Sequence, residues 1–378
     1  MSPGLALGAV MMNEWDFVLP WVAHHRQQGF GPLLVADNES DDGTLELLEA
    51  LEEGGYLRLY RQPGREGGTQ VPAYLSLLET LAHDVSVIGF IDADEFLVSH
   101  DDRPASVHLA RVFDKPEVGA VAVNWRVFGS AGRRFRRPLG QPSTACAQPW
   151  HPLNGYFKSF ARVPAIEAIE PHQVLLAAGY EYRHVDGSRA SLFRTAEEAL
   201  DGPFTAGATG IVARLVMDPV TIHHHALRDQ TTFQLGKGAR PRSHFTGDQG
   251  KWQETFYRKH DLNDDSCDAE LRTLDERQRV EAEIVSTLTS STNLLKRFRL
   301  RIDCDADGII VQVVAIDGVN RAVRIEIRQD TGGWVPFMDV PVAEFDSGVA
   351  TLRFPMSEIS EDEPLTLRLK GVLDVTYA

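Results

Sequence analysis

The chain has 378 residues, material for two or three domains with an ample core. Its formal charge of −16 excludes a general nucleic-acid binder, which needs a basic face, but leaves room for a local basic site. Hydrophobic residues make up 43% and charged residues 24%, as in ordinary soluble proteins, and no stretch reaches the roughly 18 uninterrupted apolar residues of a membrane span.

Cys146, Cys267 and Cys304 are odd in number and far apart in the chain. They suggest neither a disulfide framework nor a zinc site, and they fit a reducing cytoplasm. The start, MSPGLALGAVMMNE, has no basic opening and only a short apolar run, so no signal peptide is expected.

Leu5–Met12 reads as a buried strand ending at Asn13-Glu14. Trp15–Gln28 reads as a helix, with Trp15, Val18, Leu19 and Val22 at helical spacing and Gly29 as its stop. Pro20 lies inside it and predicts a kink or a late start. Pro32–Ala36 is a second strand, and the polar turn Asp37–Thr44 follows it with helix-capping side chains. Thr44–Glu52 is the next helix, Tyr56–Arg61 the third strand and Gln70–Ala82 another helix.

That helix leads into Val87–Ile91, an apolar run of the kind buried on both faces of a parallel sheet. Asp92, Asp94 and Glu95 follow at once. Carboxylates at the end of a buried strand need a cationic partner. Mg²⁺ and related hard ions take such oxygens together with substrate phosphates. In an extended chain Asp92 and Asp94 share a side, because side chains alternate with period two.

Strand–helix alternation predicts an α/β, Rossmann-like, mostly parallel sheet, whose ligands bind beyond the carboxyl ends of the strands. Asn13-Glu14, Asp37–Asp42 and Asp92–Glu95 all fall there. Asp37 suits a base N–H or ribose hydroxyls, although plain turn chemistry also accounts for Asp41 and Asp42. Arg61 and Arg65 are placed to face phosphates or to sit solvated on the surface.

MNEWDFVLPWVAHHRQQGF, VADNESDDGT and IGFIDADEFLV together resemble nucleotide-sugar glycosyltransferases of the GT-A type. The nearer likeness is to bacterial family 2-like members with an Asp-x-Asp-Glu-Phe motif. Val123–Gly132, Tyr156–Ser159, Pro171-His172 and Thr221–Arg240 follow in the family's order, so the resemblance covers about residues 5–245. It implies a GT-A catalytic domain, a nucleoside diphosphate sugar donor, a glycan or glycolipid acceptor and Mn²⁺ or Mg²⁺. By that resemblance Asp92, Asp94 and His224 hold the metal. Asn13, Glu14, Asp37, Asp92, Arg228 and Lys237 meet the donor.

Two departures stand out. The family's Asn-His-Tyr is His223-His224-His225 here, and its basic-Ser pair is Arg228-Asp229. Met12 also stands where the family often has a base before Asn-Glu. On a strand, His223 and His225 share one face and His224 takes the other. Each of the three also reads as a buried neutral histidine satisfied by backbone carbonyls.

Inverting transfer needs a base for the acceptor hydroxyl proton. His172, Glu170 and Asp186 are the candidates, with His172 preferred because an imidazole titrates near neutrality. The arginine-rich stretch Arg133–Arg137 suits an anionic acceptor or a solvated loop. Trp125, Trp150 and Tyr156 can stack on sugar rings or fill the core.

Asp248–Thr289 reads as charged and mostly helical, with a packing stripe at Leu274, Val280, Ile284 and Leu288. From Leu295 onward, short alternating runs separated by Gly and Asp turns predict a small antiparallel β-sandwich. The expected layout is therefore a GT-A domain over residues 1–260, a helical linker over 261–294 and the β domain over 295–378. The β domain is expected to cover the first or to form an oligomer contact.

The expected function is a cytoplasmic, metal-dependent, inverting glycosyltransferase, acting in surface polysaccharide or lipopolysaccharide synthesis. It has no membrane span and could associate with the inner face of the membrane. Two rivals use similar residues: a nucleotide-sugar or glycan binding protein without turnover, and a metal-dependent nucleotidyltransferase or phosphohydrolase.

Overall fold

The structure is a computed structural model. It describes residues 4–40, 43–63, 70–81, 85–133, 143–192, 210–228, 233 and 249–291, and beyond them the strands of the C-terminal part. The expectations for Lys237 and for residues 134–137 lie outside the described residues.

One nine-stranded sheet organises the first part of the chain. Its strands are β1 (Gly4–Met11), β2 (Leu33–Asp37), β3 (Arg58–Arg61), β4 (Val85–Phe90), β5 (Glu95–Ser99), β6 (Val118–Val127), β7 (Phe157–Arg162), β8 (Glu181–His184) and β9 (Val220–His224). The spatial order is β3-β2-β1-β4-β7-β6-β9-β5, and β8 also pairs with β6. β3, β2, β1 and β4 run parallel to one another. β7 runs antiparallel to both β4 and β6. β9 is parallel to β6 and antiparallel to β5.

Helices cover both faces. They are α1 (Trp15–Gln27), α2 (Thr44–Glu53), α3 (Gln70–Glu79), α4 (Ala105–Val112), α5 (Gln249–His260) and α6 (Leu274–Ser291). β1 explains the layering by its period of two. Leu5, Leu7, Ala9 and Met11 join one core with residues of α1, α2, α4 and α6, while Ala6 joins another with Ala73, Tyr74 and Leu77 of α3. α1 keeps Pro20 inside it and ends at Gly29, whose φ of +80° suits a residue without a side chain. A Cβ there would also lie 2.3 Å from Ser106 Oγ. α6 falls in the stretch expected as a linker, yet it lays Ile284 and Leu288 into the main core.

α1 also buries two histidines. His24 Nε2 donates to the Leu97 carbonyl at 2.7 Å. His25 Nδ1 donates to the Trp21 carbonyl at 2.8 Å, and its Nε2 accepts from the Leu97 N–H at 3.3 Å. Burial pushes the His24 imidazole down from 6.5 to about 4. The unfolded chain therefore takes up a proton at this position between those values, and the folded one does not. Stability from this group is complete above 6.5 and is lost as pH falls toward 4, by about 3 kcal/mol in all. Melting temperature measured across that window will fall for the wild type, and the slope will flatten in His24→Gln.

Among the described residues, the C-terminal part holds two three-stranded antiparallel sheets. Gly308–Ala315 lies between Phe298–Asp305 and Val349–Phe354 in one. Val323–Arg328 lies between Trp334–Val340 and Leu367–Lys370 in the other. Trp334–Val340 carries Pro336 within it. The register shifts between Ile325 and Glu326, where Glu326 faces that proline, as an irregular strand requires. No helix among the described residues is long and apolar enough to cross a membrane.

Candidate active site

The site forms where β4 ends. Asp92, Ala93 and Asp94 make a tight turn into β5, whose first residue is Glu95. Glu95 closes the turn by accepting the Asp92 N–H on Oε2 at 2.8 Å. Its own N–H donates to the Asp92 carbonyl at 3.1 Å. Trp21 Nε1 donates to that same carbonyl at 3.2 Å.

Asp92 is held on both oxygens. Gln70 Nε2 donates to Oδ1 at 3.0 Å, and Lys158 Nζ donates to Oδ2 at 2.9 Å. Lys158 lies 3.5 Å from Glu95 Oε2 and also donates to the Pro171 carbonyl at 3.3 Å. The lysine is buried, with 1% of its side chain exposed. Against desolvation, the carboxylates of Asp92 and Glu95 hold its ammonium protonated above the usual range. Burial pushes the Glu95 carboxyl up, and Lys158 opposes that rise.

Asp94 faces a different partner. Its Oδ2 is 3.7 Å from His224 Nε2 on β9. Its carbonyl accepts the His225 N–H at 2.9 Å, which ties the turn to the end of β9. The His224 ring packs on Trp125, with centroids 4.1 Å apart, and Trp125 stacks on Tyr156 at 5.1 Å.

His172 joins this aromatic group at 5.3 Å from Trp125 and 5.7 Å from Tyr156. Its Nδ1 donates to the Phe157 carbonyl at 3.2 Å, so the lone pair sits on Nε2. Burial and the Lys158 charge push this imidazole down to about 4. Gly210, with φ of +83°, lets the chain pass close by, since a Cβ there would stand 2.3 Å from His172 Cβ. Gly210→Ala will therefore displace His172 and destabilise the fold by about 1–3 kcal/mol, read by denaturant unfolding.

The donor-side expectations meet a second set of contacts. The Asn13 N–H donates to Ser40 Oγ at 3.0 Å, and the Glu14 N–H donates to Thr44 Oγ1 at 2.9 Å. Asp37 is buried and accepts the Ser40 N–H at 3.2 Å. Arg228, in the left-handed region at φ of +59°, donates to Glu14 Oε2 at 3.1 Å and to the Ala93 carbonyl at 3.2 Å. One guanidinium thus joins the end of β1 to the Asp92–Asp94 turn.

Other expected residues are placed differently. Glu170 is exposed, at the turn between Ile166–Ile169 and Val174–Leu176. Asp186 is occupied by Ser188 and by Arg214 Nη2 at 2.7 Å. Burial pushes its carboxyl up, but those hydrogen bonds win and hold it below the usual range. Arg61 pairs with Glu49 at 2.6 Å on the surface. Trp150 is 73% exposed, away from any core role.

Sequence reasoning also missed partners. His223 and His225 meet the Glu270 carboxylate, where backbone carbonyls were expected. Lys158 had a signal: a lysine between the apolar residues of Phe157–Arg162 needs an anion when buried. Gln70 and Glu270 carried none.

No family model matches the chain. Over 125 residues it is 27% identical to a glycosyltransferase family 92 protein of Oryza sativa subsp. japonica. That stretch is 33% of this chain, and the chain spans 21% of the length of the rice protein. The crystal structure of S. aureus TarS gives a TM-score of 0.34 at 10% identity, covering 99% of this chain and 77% of that one. The structure of TarS residues 1–349 gives 0.33 at 11% identity, covering 76% and 72%. Over a third of its length, then, the chain is similar in sequence to a glycosyltransferase.

Proposed function

We propose that the chain is a metal-dependent glycosyltransferase that moves a sugar from a nucleoside diphosphate donor to a hydroxyl acceptor, a glycan or glycolipid. The observation that carries this reading is the meeting of Asp94 and His224, 3.7 Å apart, at the carboxyl edge of the parallel strands. The partial likeness to a family 92 glycosyltransferase supports the same reaction class.

A carboxylate oxygen and an imidazole nitrogen at this spacing suit one divalent ion, and of the expected pair Mn²⁺ takes the imidazole more readily than Mg²⁺. Bound there, such an ion supplies Lewis acidity to the departing diphosphate. Asp94 and His224 would hold it. Asp92 has both oxygens committed to Lys158 and Gln70, so its part is to fix the turn rather than to ligate. Arg228 presents positive charge to the diphosphate from between Glu14 and Ala93, and Lys237 adds a second cation. Asn13, Glu14 and Asp37 line the nucleoside end.

His172 takes the acceptor proton on Nε2, as a weaker base than the near-neutral imidazole expected, since burial and Lys158 lower it to about 4, and inversion follows from attack opposite the leaving group. Glu170, being exposed, and Asp186, being paired, are weaker candidates for that role. A cytoplasmic enzyme of surface polysaccharide synthesis, with a GT-A domain, a helical segment and a C-terminal β-sandwich that covers it or joins subunits, is the fuller form of the proposal.

The test is incubation with a panel of nucleotide sugars and Mn²⁺, followed by separation of the nucleotide products. Nucleoside diphosphate release supports transfer. Tight nucleoside diphosphate binding with no release from any donor points to a binding protein. Nucleoside monophosphate or pyrophosphate as product overturns the proposal.

A further inference from the structure

β9 has a second face. His223 and His225 point to the side opposite His224, as alternation demands. There the 3₁₀ segment Ala269–Thr273 brings Glu270 against them. His225 Nε2 is 2.9 Å and His223 Nδ1 is 3.2 Å from one and the same oxygen, Glu270 Oε2. The three ligand-type atoms lie within 4.8 Å of one another, and all three residues are buried.

We propose that His223, His225 and Glu270 form a buried metal site of the zinc class, with a water as the fourth ligand, separate from the Asp94–His224 site. Two histidines at i and i+2 of a strand plus one carboxylate are a zinc donor set. Tetrahedral zinc with bonds of about 2.0–2.1 Å sets its ligand atoms roughly 3.3 Å apart, so the site needs only a slight opening. Nitrogen ligands disfavour Mg²⁺ and Ca²⁺, which take oxygen.

The surroundings are those that ligating groups have. Glu270 Oε1 accepts from Arg277 Nη1 at 3.0 Å. His223 Nε2 lies 3.9 Å from Cys267 Sγ, which can accept its N–H once Nδ1 gives its lone pair to the metal. Charge points the same way. Among the described residues, the Glu270 and Glu281 carboxyls both face the guanidinium of Arg277. A divalent ion adds positive charge beside the buried Glu270 carboxylate. The proposal stands whether or not the front face transfers sugar.

The experiment is metal analysis of the purified full chain. The expected result is about one zinc per chain in the wild type, at least a tenfold lower content in Glu270→Gln, and retention of zinc in Asp94→Asn. Wild type loaded with Co²⁺ will show the visible absorption of a tetrahedral site, a readout that needs no variant. The proposal is overturned if the wild type holds under about a tenth of an equivalent after Zn²⁺ incubation and dialysis, with no tetrahedral Co²⁺ spectrum. Zinc retained undiminished by both Glu270→Gln and His225→Asn overturns it as well.

Discussion

Asp94→Asn lowers nucleotide-sugar turnover at least about a hundredfold, close to 3 kcal/mol of transition-state stabilisation, while the melting temperature barely moves. Asp94 is 13% exposed in its side chain and faces His224 across 3.7 Å. An amide keeps the shape and the turn but loses the charge that would hold a divalent ion there. The partner comparison is Asp92→Asn, where the loss falls first on stability, because Lys158 then lacks its nearest anion at 2.9 Å. Product nucleotide separation gives the rate and circular dichroism the fold. Equal turnover in Asp94→Asn and wild type at saturating Mn²⁺ would sink the assignment of Asp94.

Lys158→Met destabilises the protein by about 3–5 kcal/mol, a drop in melting temperature on the order of 10 °C. The lysine is the cation that Asp92 and Glu95 share, at 2.9 Å and 3.5 Å. Its removal leaves the buried Glu95 carboxyl beside the partly exposed Asp92 carboxylate. Glu95 answers by taking a proton, since burial already pushes its carboxyl up. Asp92 keeps the hydrogen bond from Gln70 on its other oxygen. The double variant Lys158→Met with Glu95→Gln therefore recovers part of the loss. A double-mutant cycle by denaturant unfolding measures the coupling, and strict additivity would show that the contact carries no energy.

Much of the fold was legible in the sequence where the chain is regular. Leu5–Met12, Trp15–Gln28 and Thr44–Glu52 were expected, and β1, α1 and α2 run Gly4–Met11, Trp15–Gln27 and Thr44–Glu53. Period-two and period-3.6 patterns suffice there because each element has one apolar face. β6 gave no such signal, because all ten of its residues are buried and no alternation survives. The alternate aim of the histidine triplet was also legible, since it follows from strand geometry alone. The partners were not. That His223 and His225 meet Glu270, and that Asp92 meets Lys158, depends on which distant segments pack together, and no local spacing encodes that.

β9 fixes when the site can exist. Its five residues fill the gap between β6 and β5, bonding to both. Until the chain has been made as far as His224, β5 and β6 keep open edges facing each other across that gap. Such edges invite pairing with another molecule. Sheet closure here also joins segments far apart in sequence, which is slow. The chain made short of β9 is therefore the species with those strand edges exposed. Completion of the candidate site and pairing of those two facing edges come together, in a single late strand insertion.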